Sequence, residues 1–154
     1  LCQPMTLCFR VAGVDLEKFE IWYMSYNGNP KSWYRVDRFL HRVPYEKTPE
    51  VYAACDILLK TSLLESFSYP PLEMMASGGY VVAVPNGGNL EYLKDGENCI
   101  LYPQGNLAEA KAAIERILTD AELRKKLDTG AEETVKERNW KRIEPQILEQ
   151  YLGK

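Results

Sequence analysis

The chain has 154 residues, 45% of them hydrophobic and 27% charged, with a formal net charge of −3 from 19 basic and 22 acidic side chains. That is enough for one globular domain with a substantial core, and it excludes a disordered chain. The slight acidic excess argues against nonspecific nucleic-acid binding, which needs a basic surface, although a single anionic metabolite needs only local donors. No run of 18 apolar residues occurs, so no transmembrane segment is expected, and no signal-peptide pattern opens the chain. A cytoplasmic location follows as an expectation, with the cytoplasmic face of a membrane as its variant.

Residues 5–14 (MTLCFRVAGV) read as a helix ending before Asp15. Residues 20–26 (EIWYMSY) are aromatic and β-prone, and Asn27, Gly28, Asn29 and Pro30 stop them, which suits a strand and a turn. Residues 37–43 (DRFLHRV) make a second short strand ending at Pro44. Thr48 and Pro49 read as the cap and first residue of a helix running to Cys55. Residues 56–61 (DILLKT) form the continuous apolar run of a central strand covered on both faces. A helix over 70–77 and a buried strand over 80–84 (YVVAV) follow. Asn86, Gly87 and Gly88 open a short helix through Lys94, Asp95 and Gly96 turn, and 99–102 (CILY) is a last strand.

Beyond that strand the apolar spacing is helical, with Leu107, Ala110, Ile114, Ile117 and Leu118 on one face. The pattern continues over 121–137 and 141–152, with Pro145 early in the last helix, where a missing N–H does little harm. Strands alternating with helices predict an α/β fold, a Rossmann-like parallel sheet flanked by helices, with right-handed crossovers and a helical C-terminus. No internal repeat, low-complexity tract or linker is seen, so residues 1–154 read as a single domain.

Cys2, Cys8, Cys55 and Cys99 show no CxxC and no zinc-like spacing, so buried or partly buried free thiols in a reducing compartment are expected. The one histidine, His41, lies in an apolar strand-like run and reads as structural. Trp22, Tyr23, Tyr26, Trp33, Tyr34 and Phe39 are crowded together and read as sheet core and turn packing. The charged stretch AELRKKLDTGAEETVKER reads as a solvated helical face.

The most informative stretch is ESFSYPPLEMMASGG, residues 65–79. It runs from a strand end into a helix and carries two glutamates, Glu65 and Glu73. At the carboxyl edge of a parallel sheet, an α/β protein binds a nucleotide. A carboxylate there can hold a ribose diol or sugar hydroxyls, and free N–H groups of a first helical turn can hold a phosphate. Ser68 is a candidate N-cap. Pro70 and Pro71 remove two donors, which leaves the amides of 67–69 and the hydroxyls of Ser66 and Ser68 for any phosphate. Taken alone, a glutamate near a helix start only complements the helix dipole. The order around the pair strengthens the reading: buried strand, Glu, aromatic turn, Pro-Pro, Leu-Glu, small-residue helix, Gly-Gly, buried strand.

The chain resembles the C-terminal half of a retaining glycosyltransferase of group 1 (family four), with the two-domain GT-B fold. That family typically reads E-G-F-G-L-P-P-L-E-A-M-A-x-G here. The matches are Glu65, Phe67, Pro70, Pro71, Leu72, Glu73, Met75, Ala76 and Gly78. Upstream, Tyr52 and Asp56 match its Y-x-x-A-D helix, with Cys55 in place of alanine. Downstream, Gly87, Gly88, Glu91, Asp95 and Gly96 match its Gly-Gly turn, Glu and Asp-Gly turn, and Trp140 fits its ending. The resemblance runs from about residue 20 to 152.

The resemblance implies binding of a nucleotide-diphosphate sugar and transfer of the sugar to an acceptor hydroxyl with retention, in polysaccharide or glycolipid synthesis. By position it implies Glu65 as the catalytic residue, on the donor sugar hydroxyls, and Glu73 on the ribose. It sets Ser66, Phe67, Ser68 and Tyr69 toward the diphosphate, and Arg42 and Val43 beside the base, mostly through backbone. Asn86, Gly87 and Gly88 would border the same cleft. No metal-binding Asp-x-Asp pattern occurs, so neither a metal nor another cofactor is expected.

Three departures stand out. The family's two turn glycines are Ser66 and Ser68 here, and the variant SYPPLEM resembles a rhamnan-type subgroup, which hints at a deoxyhexose donor. Cys99 stands where glycine is usual. The family's diphosphate-neutralising Arg and Lys have no match, since Arg10 and Lys18 have the wrong spacing. The expectation is therefore a fragment, lacking the first strand of this domain and an N-terminal acceptor domain, and inactive alone. Two other readings stay open: a non-catalytic sugar-nucleotide binding or interaction module, and a GT-B-fold epimerase. Peripheral contact with a membrane also stays open, with little support from the balanced charge.

Overall fold

The structure, a computed structural model, describes the main chain of residues 6–11 and residues 19–152. Six strands form one sheet: β1 (Thr6–Val11), β2 (Phe19–Ser25), β3 (Arg38–His41), β4 (Ile57–Lys60), β5 (Tyr80–Ala83) and β6 (Ile100–Leu101). Their order is β3-β2-β1-β4-β5-β6. Among the described residues five α-helices accompany them, α1 (Thr48–Ala53), α2 (Tyr69–Ala76), α3 (Leu107–Thr119), α4 (Ala121–Glu137) and α5 (Trp140–Leu152), with a 3-10 turn at Tyr45–Lys47 before α1. The α/β class and the helical C-terminus agree with the sequence reading.

The sheet is parallel on either side of β1: β2 with β3, and β4 with β5 and β6. β1 itself runs antiparallel to both β2 and β4. This corrects the helix expected over 5–14, of which residues 5 and 12–14 lie outside the described residues. Only residues 12–18 separate β1 from β2, fewer than the dozen or so that a parallel crossover needs.

Alternating side chains of the central strands feed two cores. Leu58 and Val81 meet Tyr52, Met74 and Met75 of α1 and α2 on one face. Ile57 and Val82 meet Ala110, Ala113 and Ile117 of α3 on the other, with Leu123 and Leu127 of α4. Both faces of β4 are therefore covered, as its continuous apolar run requires.

Several local expectations change. Residues 87–92 are turns, and the helix expected through Lys94 is absent. Asn86 and Asn89 side chains take main-chain partners there: Asn86 N donates to Asn89 Oδ1 at 2.8 Å, and Asn89 Nδ2 donates to Val84 O at 2.9 Å. Leu90 N and Leu93 N still bond Asn86 O and Asn89 O at 3.1 and 2.9 Å, single helical turns that do not join into a helix. Thr48 is the first residue of α1 rather than its cap, and its hydroxyl donates to Pro44 O at 3.3 Å. Pro145 lies inside α5, which begins at Trp140, so the Lys141 carbonyl loses its usual helical donor. His41 is exposed on an edge strand and stacks on Phe39 at 5.5 Å, rather than sitting satisfied in a core. The aromatic cluster splits: Trp22 and Tyr23 are buried, while Tyr26, Trp33, Tyr34 and Phe39 are exposed.

Cys55 and Cys99 are buried free thiols. Burial pushes the Cys99 thiol up to about 12, with Asp95 adding to the rise, so it is inert near neutrality. Cys2 lies outside the described residues. Of Cys8 only the main chain is described. α4 buries Leu123, Leu127 and Ala131 and leaves its charged face in water, as its composition suggests.

Candidate functional site

β4 delivers the chain to the carboxyl edge of the sheet at Lys60, and residues 61–68 then turn it into α2. Beside that turn lies a cavity of about 370 Å³. It is lined by Glu65, Phe67, Tyr69 and Glu73, by Lys60 of β4, and by Thr48 and Tyr52 of α1. Residues from Met24 to Asn27, at the end of β2, also line it. The two glutamates thus open onto one hollow. A second hollow of about 290 Å³ shares Tyr45, Thr48, Tyr52 and Glu73 with the first, so Glu73 stands where the two meet.

The carboxylates have different surroundings. Glu65 Oε1 lies 2.7 Å from Lys60 Nζ, and the two side chains are 18% and 1% exposed. The contact is between charges rather than an aligned hydrogen bond, for Glu65 Oε1 has no partner in hydrogen-bonding geometry. Glu73 is half-buried, and loss of water raises its pKa. The Tyr52 hydroxyl donates to it and offsets part of that rise.

The turn is held from below. Asn86 Nδ2 donates to Ser62 O at 2.9 Å, while Asn86 Oδ1 accepts from Gly88 N at 3.0 Å and Asn89 N at 3.1 Å. A Cβ on Gly88 would stand 2.3 Å from Glu65 O, so only glycine lets the two main chains approach this closely. Gly87 has nothing within 4 Å of such an atom. The Tyr92 hydroxyl, its pKa raised by burial, donates to Ser68 O. The Phe67 ring packs 5.0 Å from Tyr69 and 5.4 Å from Tyr92.

Of the residues singled out from sequence, Glu65, Phe67, Tyr69 and Glu73 come together on the cavity. Ser66 is exposed and Ser68 fully buried, and neither lines it. Ser68 takes the cap position of α2, but its hydroxyl makes no capping bond and has no partner. Asn86 and Gly88 brace the turn from behind instead of bordering the hollow, and exposed Gly87 does not line it either. Arg42 and Val43 reach it through neighbours. Arg42 N donates to Ser25 O at 3.0 Å, and Val43 O accepts from the Tyr26 hydroxyl at 2.7 Å. Arg42 has φ of +53°, the one positive value at a non-glycine position among the described residues. No group of three or more His, Cys, Asp and Glu side chains among the described residues could hold a metal.

The family of glycosyl transferases group 1 matches residues 37–134, well over half of the chain. The chain belongs to the group 1 glycosyltransferases. It is 35% identical over 117 residues to the O-antigen biosynthesis protein RfbC of Myxococcus xanthus, covering 74% of this chain and 9% of that protein. It is 33% identical over 116 residues to the D-inositol 3-phosphate glycosyltransferase of Geodermatophilus obscurus, covering 75% of this chain and 25% of that one. Among solved structures, Anabaena Alr3699/HepE in complex with UDP-glucose superposes with a TM-score of 0.68 at 28% identity, over 76% of this chain and 32% of that one. Sucrose-phosphate synthase from Thermosynechococcus elongatus does so with the same TM-score and identity, over 75% of this chain and 29% of that one. The chain therefore spans only a small part of these relatives. Its architecture is the C-terminal half of a GT-B fold.

Sequence reasoning on this group 1 glycosyltransferase domain missed Lys60, read as part of an apolar run, and the Tyr52–Glu73 contact. A lysine closing an otherwise apolar strand was the available signal for the first. Nothing local marked the walls formed by Thr48 and by residues 24–27, because their approach depends on how α1 and β2 pack.

Proposed function

We propose that this domain binds a nucleotide-diphosphate sugar and forms the donor half of an enzyme that transfers the sugar to an acceptor hydroxyl with retention. Synthesis of a polysaccharide or glycolipid is the process that fits. One observation carries the reading: Glu65 and Glu73 open onto one cavity at the carboxyl end of β4. In this reading Glu73 accepts the ribose hydroxyls and Glu65, as the catalytic carboxylate, those of the donor sugar. The turn of Phe67 to Tyr69 faces the diphosphate, and the main chain near Arg42 and Val43 borders the base. The volume suits a small-molecule site. The likeness to a structure holding UDP-glucose adds support.

As the bond to the sugar breaks, negative charge grows on the leaving diphosphate and needs fixed donors. The start of α2 supplies some, less the two N–H groups that Pro70 and Pro71 lack. The matching basic pair and the acceptor wall belong, in this reading, to sequence that the relatives carry beyond the matched region. Closure of that second half would exclude water, which otherwise hydrolyses the donor. The reaction would take place in the cytoplasm or at the cytoplasmic face of a membrane. Among the described residues no helix is long and apolar enough to cross one.

Calorimetry of the chain with UDP, UDP-glucose and GDP- and dTDP-linked hexoses tests the reading. At least one nucleotide should bind, with EDTA making no difference. A folded protein that binds none of them would refute the donor site. The same chain is expected to transfer no sugar by itself; a measurable transfer rate to any acceptor would overturn that expectation.

A further inference from the structure

Lys60 is the one charged residue of β4, and it stands on the face that carries Leu58 into the core beside Tyr52 and Met74. Its side chain is 1% exposed, its ammonium lies 2.7 Å from Glu65 Oε1, and it lines the same cavity as Glu65 and Glu73. Burying a lysine costs free energy that one carboxylate partner rarely repays, and apolar residues in place of such a pair are commonly neutral or stabilising. Packing alone therefore gives no reason for a lysine here. The pair's position on the cavity wall does give one. Oε1 has no aligned hydrogen bond, and the Lys60 ammonium is the cation within ion-pair distance of it.

We propose that Lys60 is a positioning residue for the donor sugar: it pins one oxygen of Glu65 and so aims the carboxylate at sugar hydroxyls in the cavity. The assignment rests on the donor-site reading above. It separates sugar recognition from nucleotide recognition, because Glu73, the ribose carboxylate of that reading, takes its bond from Tyr52 instead. A purely structural ion pair would affect both ligands equally.

Calorimetry with UDP and with UDP-glucose distinguishes the two. Lys60→Met is expected to leave UDP affinity within about twofold and to weaken UDP-glucose roughly tenfold, the scale of the hydrogen bond from a sugar hydroxyl to Glu65 that a misaimed carboxylate would lose. Lys60→Arg, which keeps a cation at the site, is expected to recover most of the loss. The double variant Lys60→Met/Glu65→Gln buries no lone ion, so it keeps the test open if Lys60→Met fails to fold. Its UDP-glucose affinity should match that of Glu65→Gln alone, since the two residues act as one unit. Equal losses for UDP and UDP-glucose, no loss for either, or additive losses in the double variant would each overturn the assignment. If folded wild-type chain binds neither UDP-glucose nor the GDP- and dTDP-linked hexoses, the donor reading falls first and this one with it.

Discussion

Glu73→Gln is expected to weaken UDP and UDP-glucose alike, by about 10- to 100-fold, while the melting temperature stays level or rises. The first part follows from the strength of hydrogen bonds to a charged acceptor, about 1.5–3 kcal/mol. The amide keeps the shape but accepts less strongly and at one atom only. The second part follows from burial. Loss of water holds the Glu73 carboxyl above its ordinary 4.5, with Tyr52 offsetting some of the rise. The unfolded chain releases that proton more easily, so at neutral pH the folded state carries a desolvation cost. That cost is complete above the folded pKa, fades as pH falls through it and is gone below 4.5. Glutamine bears no charge at any pH and avoids it. The variant's advantage in thermal melts should therefore be greatest at neutral pH and disappear in acid. A residue retained at a cost to stability is one retained for its use. A marked fall in melting temperature, with affinity lost only in proportion to unfolding, would make Glu73 structural.

Gly87→Ala and Gly88→Ala are expected to part company although they are neighbours. At Gly88 the added Cβ would meet Glu65 O at 2.3 Å, Glu65 C at 2.7 Å and Ser66 C at 2.9 Å. All three are main-chain atoms, which cannot swing aside as a side chain would. Overpacking of this kind costs about 1–3 kcal/mol, or roughly 3 to 10 °C in melting temperature. Relief requires the 65–66 main chain to move, and Glu65 moves with it. UDP-glucose affinity should fall on the order of tenfold, since small displacements of positioning groups are expensive. Gly87→Ala meets nothing within 4 Å and should change neither quantity. Melts and calorimetry on the two variants would reject the bracing role if both alanines were tolerated equally.

Much of the molecule was legible in the residues. The apolar runs at 56–61 and 80–84 predicted β4 and β5, because a strand covered on both faces has no polar side to show. Leu107, Ala110, Ile114, Ile117 and Leu118 predicted α3 through their helical spacing. The order from Glu65 to Gly79 pointed to a strand end feeding a proline-started helix, and both acids stand there. The run at 5–14 failed because apolar residues in that density suit either period; pairing with β2 and β4, not local preference, makes it a strand. The helix expected after Asn86 resolved into turns: Leu90 N and Leu93 N make helical bonds to Asn86 O and Asn89 O, but these are not consecutive.

By itself the sequence determined the α/β class, the family, and the handover from β4 to α2 that puts Glu65 and Glu73 at the sheet's carboxyl edge. These rest on local chemistry: side-chain period, proline at a helix start, and the order of a few residues. Only the tertiary structure decided that the two acids share a cavity, that Lys60 is buried against Glu65, that Tyr52 bonds Glu73, and that Gly88 rather than Gly87 carries the turn. Each of those depends on contacts between segments remote in the chain, where the approach of backbones and the exclusion of water, not residue type, set what a side chain meets.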